Sequence, residues 1–161
     1  MKRIAVALSV TALAAGGALA TCGTAAAAPP GGPVVTFQNA TTENYLDARD
    51  PVVASNPQGV LPSERFHLTP GVAPGSWTLE SAAYPGQCAT FQAIGQPVAL
   101  RSCGSAPPAQ SWFFDTNAPD STLRNVAVGL ACITDDEPNA PALTLPCGAP
   151  GAEQLWQQSP A

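Results

Sequence analysis

The residues able to do chemistry are few and lie in short clusters. Cys88, Cys103, Cys132 and Cys147 form two pairs with the same internal spacing, and Cys22 stands apart near the start. Thiols of this kind either oxidise to disulfides in an exported chain or hold a metal. The sole histidine, His67, lies away from both pairs, so neither a metal nor any other cofactor is expected. Carboxylates concentrate in Tyr45-Leu46-Asp47-Ala48-Arg49-Asp50 and in Asp135-Asp136-Glu137-Pro138-Asn139. Such oxygens can accept ligand hydroxyl hydrogens. The second run could also offer oxygens to calcium, yet it matches no calcium-loop pattern. No Gly-x-Ser-x-Gly turn is present, and a single histidine limits acid–base chemistry, so the chain is not expected to be an enzyme.

Lys2 and Arg3 precede an apolar run from Ile4 to Ala20, and Ala25-Ala26-Ala27 meets the small-residue requirement of a cleavage site. Residues 1–27 are therefore expected to be a signal peptide, which makes the mature protein secreted, with no membrane span. A rival reading makes Cys22 a lipidated residue, because Leu19-Ala20-Thr21-Cys22 roughly resembles a lipobox, although Thr21 fits it poorly. The Pro- and Gly-rich stretch 28–33 is expected to be a flexible tail, followed by one domain over 34–161. Without the leader, four arginines face eleven carboxylates, a net charge of −7 with no lysine. That excludes a nucleic-acid partner and binding to anionic membrane surfaces, both of which need clustered cations.

Beyond the leader no apolar helical face of useful length occurs. Short alternating runs recur instead, among them Val35-Thr36-Phe37, Trp77-Thr78-Leu79, Val98-Ala99-Leu100 and Leu143-Thr144-Leu145. With 18 prolines and 14 glycines to punctuate them, these are strands, and the class is all-β. A shift of 44 residues superposes Cys88 on Cys132, Thr90 on Thr134, Pro97 on Pro141, Cys103 on Cys147, Gln110 on Gln154 and Trp112 on Trp156. A diverged earlier copy places Tyr45-Leu46-Asp47 against Cys88-Ala89-Thr90 and Glu64-Arg65-Phe66 against Gln110-Ser111-Trp112. The repeats run at about 34–68, 77–115 and 121–158. Three copies of about four strands suit a β-trefoil better than a propeller, which closes with at least four blades.

Two cysteines followed by Gln-x-Trp, written twice, resemble the signature of ricin-B-type β-trefoil lectins. Here the pattern is Cys88, Cys103, Gln110-Ser111-Trp112 and then Cys132, Cys147, Gln154-Leu155-Trp156. The resemblance covers residues 34–158 and implies three four-stranded repeats with pseudo-threefold symmetry. Gln110, Trp112, Gln154 and Trp156 read as structural, with Phe66 taking the Trp part in the first repeat. The tryptophans fill the core, and the glutamines satisfy open backbone groups where repeats meet. Equal spacing within two copies of one unit favours Cys88 with Cys103 and Cys132 with Cys147 among the three possible pairings.

The resemblance also implies sugar pockets, each built from an Asp two residues after the first Cys, an aromatic before the second and an Asn before the Gln. The second repeat has Thr90, Arg101 and Ala109 there, and the third has Thr134, Leu145 and Glu153. Neither makes a pocket of the family type, though Asp135 and Asp136 could substitute. The first repeat keeps Asp47, the best single ligand candidate, with Ser55 and Ser63 at the other two positions. The expected function is non-catalytic binding of a glycan or polysaccharide by a monomer. The alternative is a trefoil that has lost sugar binding and acts on a secreted or surface protein, as an inhibitor or adaptor would.

Overall fold

The computed structural model describes residues 32–59, 61–150 and 153–161. The expected signal peptide, Cys22 and residues 28–31 lie outside the described residues. Of the expected tail, Gly32 and Pro33 are described, and the Pro33 carbonyl accepts a hydrogen bond from the Leu68 N–H at 3.0 Å.

The described chain is all-β, with thirteen strands and two short 3-10 turns. The first repeat supplies β1 (Val34–Asn39), β2 (Tyr45–Arg49), β3 (Val52–Asn56) and β4 (Phe66–Pro70). The second supplies β5 (Ser76–Ser81), β6 (Gln87–Thr90), β7 (Ala99–Ser102) and β8 (Ser111–Phe113). The third supplies β9 (Ser121–Thr122), β10 (Arg124–Asn125), β11 (Ala131–Thr134), β12 (Leu143–Pro146) and β13 (Leu155–Pro160). Four strands were expected in each repeat. The third has five because its first strand is interrupted at Leu123, which is fully buried.

Seven strands close a barrel. β1 pairs with β4, β4 with β5, β5 with β8 and β8 with β10, while β9 returns through β13 to β1. All these pairs are antiparallel, and closure leaves the barrel without an open edge. Alternation drives the inward packing: in β1, Val35, Phe37 and Asn39 are buried while their neighbours are not. Phe66, Trp112 and Trp156 lie in one buried apolar cluster with Phe37, Leu68, Leu79 and Leu123. Each indole withdraws about 200 Å² from water, worth on the order of 5 kcal/mol as an upper figure. The indole N–H groups are satisfied, Trp112 donating to the Ala89 carbonyl and Trp156 to that of Ile133, both at 3.0 Å.

The remaining strands form three hairpins, β2–β3, β6–β7 and β11–β12. They meet through a closed ring of backbone hydrogen bonds. The N–H of Val53 donates to the carbonyl of Val98 at 2.8 Å, that of Val98 to Ala142 at 2.9 Å, and that of Ala142 back to Val53 at 2.9 Å. All three residues are fully buried, so no water competes for these bonds. One hairpin from each repeat is thus fixed against the other two.

Candidate functional site

Inside each lobe one polar side chain ties down the loop after the third strand. Gln110 Oε1 accepts the Gly104 N–H at 2.7 Å, and its Nε2 donates to Thr90 Oγ1 and the Ser102 carbonyl. Gln154 repeats this with Gly148, Thr134 and Pro146. These glutamines were expected to serve backbone where repeats meet; they serve their own lobe instead, since the residues six and eight positions before them fold back over them. The disulfides Cys88–Cys103 and Cys132–Cys147 close the same two loops. In the first lobe Glu64 stands in for Gln, accepting the N–H groups of Gly59 at 3.0 Å and Leu61 at 2.8 Å. A carboxylate only accepts, so it makes no bond of the Gln–Thr type.

Asp47 occupies the position of Thr90 and Thr134. Its Oδ2 accepts Arg49 Nε at 2.7 Å and Asn56 Nδ2 at 3.0 Å. Arg49 lies two residues along the same strand and so faces the same side. The aspartate side chain is 1% exposed and the arginine 39%. This is therefore a pair with one end in solvent, and the carboxylate caps side chains rather than local backbone. Asp47 Oδ1 is buried with no hydrogen-bond partner among the described residues. Arg49 Nη2 continues the chain of contacts to Asn139 Oδ1 in the third lobe, at 3.2 Å.

Asp135 and Asp136 part company. Asp135 is buried, and its Oδ2 accepts Asn44 Nδ2 at 2.9 Å together with the Thr42 hydroxyl. Its backbone N–H donates to the Glu153 carbonyl, which also receives Asn39 Nδ2. Asp135 thus fastens the β1–β2 turn to the third lobe. Asp136 is exposed, as is Glu137. All three acids flank one seam: the loop 135–140 runs beside β2 and β3, with Asn44 against Asp135 at one end and Arg49 against Asn139 at the other. Backbone bonds from Ser55 to Ala140 and from Asn139 to Ser55 hold the seam between these ends.

In the other lobes Thr90 and Thr134 are buried partners of glutamine, and Arg101 is exposed. The backbone carbonyls of Ala109 and Glu153 each accept one bond within their lobe, from the N–H groups of Phe91 and Asp135, and one from a neighbouring lobe, from Asn125 Nδ2 and Asn39 Nδ2. No group of three or more metal-ligating side chains occurs among the described residues. No helix among them is long and apolar enough to cross a membrane.

Sequence reasoning missed a second place. A cleft of about 280 Å³ opens where the second and third lobes adjoin, lined by Gly75, Phe113, Asp115, Ser121, Thr122 and Arg124. Register creates it: β8 and β10 pair with Phe113 opposite Arg124, and the guanidinium carbon lies 5.4 Å from the ring centroid. No motif marks these residues, because they come from two repeats and are neighbours only across a strand pair.

Comparisons with known proteins agree on the fold. No family model matches the sequence, and no curated protein matches it. Solved structures do. The designed threefold-symmetric protein ThreeFoil matches with a TM-score of 0.66 at 12% identity, covering 80% of this chain and 99% of that one. SeviL, bound to asialo-GM1 saccharide, matches with 0.64 at 10%, covering 80% and 98%. The BEL β-trefoil matches with 0.65 at 15%, covering 83% and 96%. A mosquitocidal holotoxin matches with 0.69 at 9%, but over only 17% of its own length. The fold is similar to the β-trefoil of these structures and to part of the holotoxin. The two disulfides are compatible with an extracellular protein.

Proposed function

We propose that the chain is a secreted, non-catalytic carbohydrate-binding module of the ricin-B lectin type, a β-trefoil of three repeats with pseudo-threefold symmetry. The observation that carries this reading is the seam between the first and third lobes. Asp47 stands where the family keeps its pocket acid, Arg49 holds it with part of the guanidinium in solvent, and the loop bearing Asp135 and Asp136 lies alongside. Asp47 is buried behind Arg49 and so positions the guanidinium, and the groups left to meet a sugar are Arg49 and the exposed Asp136, Glu137 and Asn139, which offer donors and acceptors to sugar hydroxyls. The SeviL structure, of similar fold, holds a saccharide. Fold alone does not bring binding with it, so the reading rests on the residues of the seam.

A polysaccharide pull-down and a glycan array with the mature protein test the proposal. Retention should be lost in Asp47→Ala and weakened in Arg49→Ala, with both variants checked for folding by circular dichroism. Absence of retention on every glycan would overturn the reading and favour action on a secreted protein.

A further inference from the structure

The cleft between the second and third lobes has the makings of a binding site that owes nothing to the position of Asp47. Its charged groups are complementary, and each side chain makes one contact that limits its freedom. The Arg124 guanidinium rests over the Phe113 ring, which holds a flexible cation in place without engaging its donors. Asp115 is held by its own turn: Oδ1 accepts the Asn117 N–H at 2.9 Å, and the Asp115 N–H donates to Ser121 Oγ at 2.9 Å. Asp115 Oδ2 has no partner among the described residues, and Arg124 and Asp115 form no ion pair. The cleft thus presents a cation with free donors and an anion with a free acceptor. The floor is rigid, because Phe114 is wedged edge-on against Phe37 at 5.3 Å and beside Trp77 at 6.4 Å.

We infer that this cleft is a second ligand site, taking a neutral saccharide unit. The inference rests on the reading of the chain as a carbohydrate-binding module. Vicinal hydroxyls act as donor and acceptor at once, so they suit a separated Asp and Arg in a way that neither a pure anion nor a pure cation does. Neutral charge follows from the setting: eleven carboxylates against four arginines over residues 28–161 disfavour acidic sugars. Groups fixed before binding lose little freedom on engaging a ligand, which is the usual condition for a small, shallow site to work.

The test is a proton–nitrogen NMR titration of the mature protein with galactose, glucose and N-acetylglucosamine, and with glucuronate as the charged arm. Neutral sugars should shift the amides of residues 113–115 and 121–124 and the Arg124 Nε–H. Arg124→Ala and Asp115→Asn should each weaken that response by roughly tenfold or more, the loss expected for one charge-assisted hydrogen bond. Asp47→Ala should leave it unchanged. Shifts confined to β2 and residues 135–139 would overturn the second site while leaving the module reading intact. A response to glucuronate alone would overturn the neutral ligand. Silence toward all four sugars at both places would overturn the second site and the module reading together.

Discussion

The ring of Tyr45 lies so close over Gly59 that a Cβ added there would stand 2.4 Å from the tyrosine Cε2. Tyr45 aligns with Cys88 and Cys132, and Gly59 with Gly104 and Gly148, since all three glycines give their N–H to the Glu or Gln of their lobe. The ring therefore stands where the other lobes carry a disulfide. A packed aromatic replaces a covalent staple, and this is how the first repeat dispenses with both cysteines.

Gly59→Ala should accordingly cost more than Gly104→Ala. Both positions have left-handed backbone, with φ of 78° and 77°, which costs an alanine about 1–2 kcal/mol. At Gly104 the new methyl meets open space, whereas at Gly59 it must displace the Tyr45 ring. A total of about 2–4 kcal/mol is expected for Gly59→Ala, read from urea unfolding. Equal losses at the two sites would show that the tyrosine does not hold this loop.

Reducing the disulfides should lower the melting temperature. Each closes a loop of sequence separation 15, worth about 3 kcal/mol in the chain-entropy account. For a domain of this size each loop corresponds to roughly 10 °C. The loops belong to different lobes, so losses in Cys88→Ser/Cys103→Ser and Cys132→Ser/Cys147→Ser should add. A melting curve indifferent to reductant would contradict the role given to these bridges.

Exchanging amide and acid at the loop clamps should be costly in both directions. Gln110→Glu removes the donor that serves Thr90, Ser102 and Ser105, leaving the buried Thr90 hydroxyl and the two part-buried serine oxygens facing a carboxylate. Glu64→Gln points an NH₂ group at one of two backbone N–H donors, from Gly59 or Leu61. Each change should cost about 2–3 kcal/mol, the size of a buried polar group left unmatched. Calorimetry of both variants would decide, and a neutral Glu64→Gln would show that the carboxylate is not needed for its two N–H partners.

The repeat was legible because cysteine and tryptophan are scarce, so their recurrence after 44 residues marked the units and favoured the thiol pairing that the disulfides show. Asp47 was legible as a family position but not as a buried one. Its burial depends on Asn56 from the partner strand and on Asn139 from the third lobe, which reaches Arg49. The interrupted strand at Leu123 and the Phe113–Arg124 cleft left no trace in the sequence. Both arise from register between strands of different repeats, and periodicity within one strand carries no record of its neighbour.

Asp135 and Asp136 are adjacent, yet they should respond to substitution in opposite ways. Asp135 is 1% exposed and joins Asn44 and Thr42 of the first lobe to the third. Asp135→Ala strands both donors and opens the seam, so a loss of about 2–4 kcal/mol is expected. Asp136 faces solvent, and Asp136→Ala should stay within about 0.5 kcal/mol. If the exposed acid touches ligand, Asp136→Ala will weaken glycan retention with an unchanged melting temperature, while Asp135→Ala will lower both. Thermal melts run beside the pull-down separate the two roles, and a stable Asp135→Ala protein would refute the anchoring role because its carboxylate is the side-chain acceptor shared by Asn44 and Thr42.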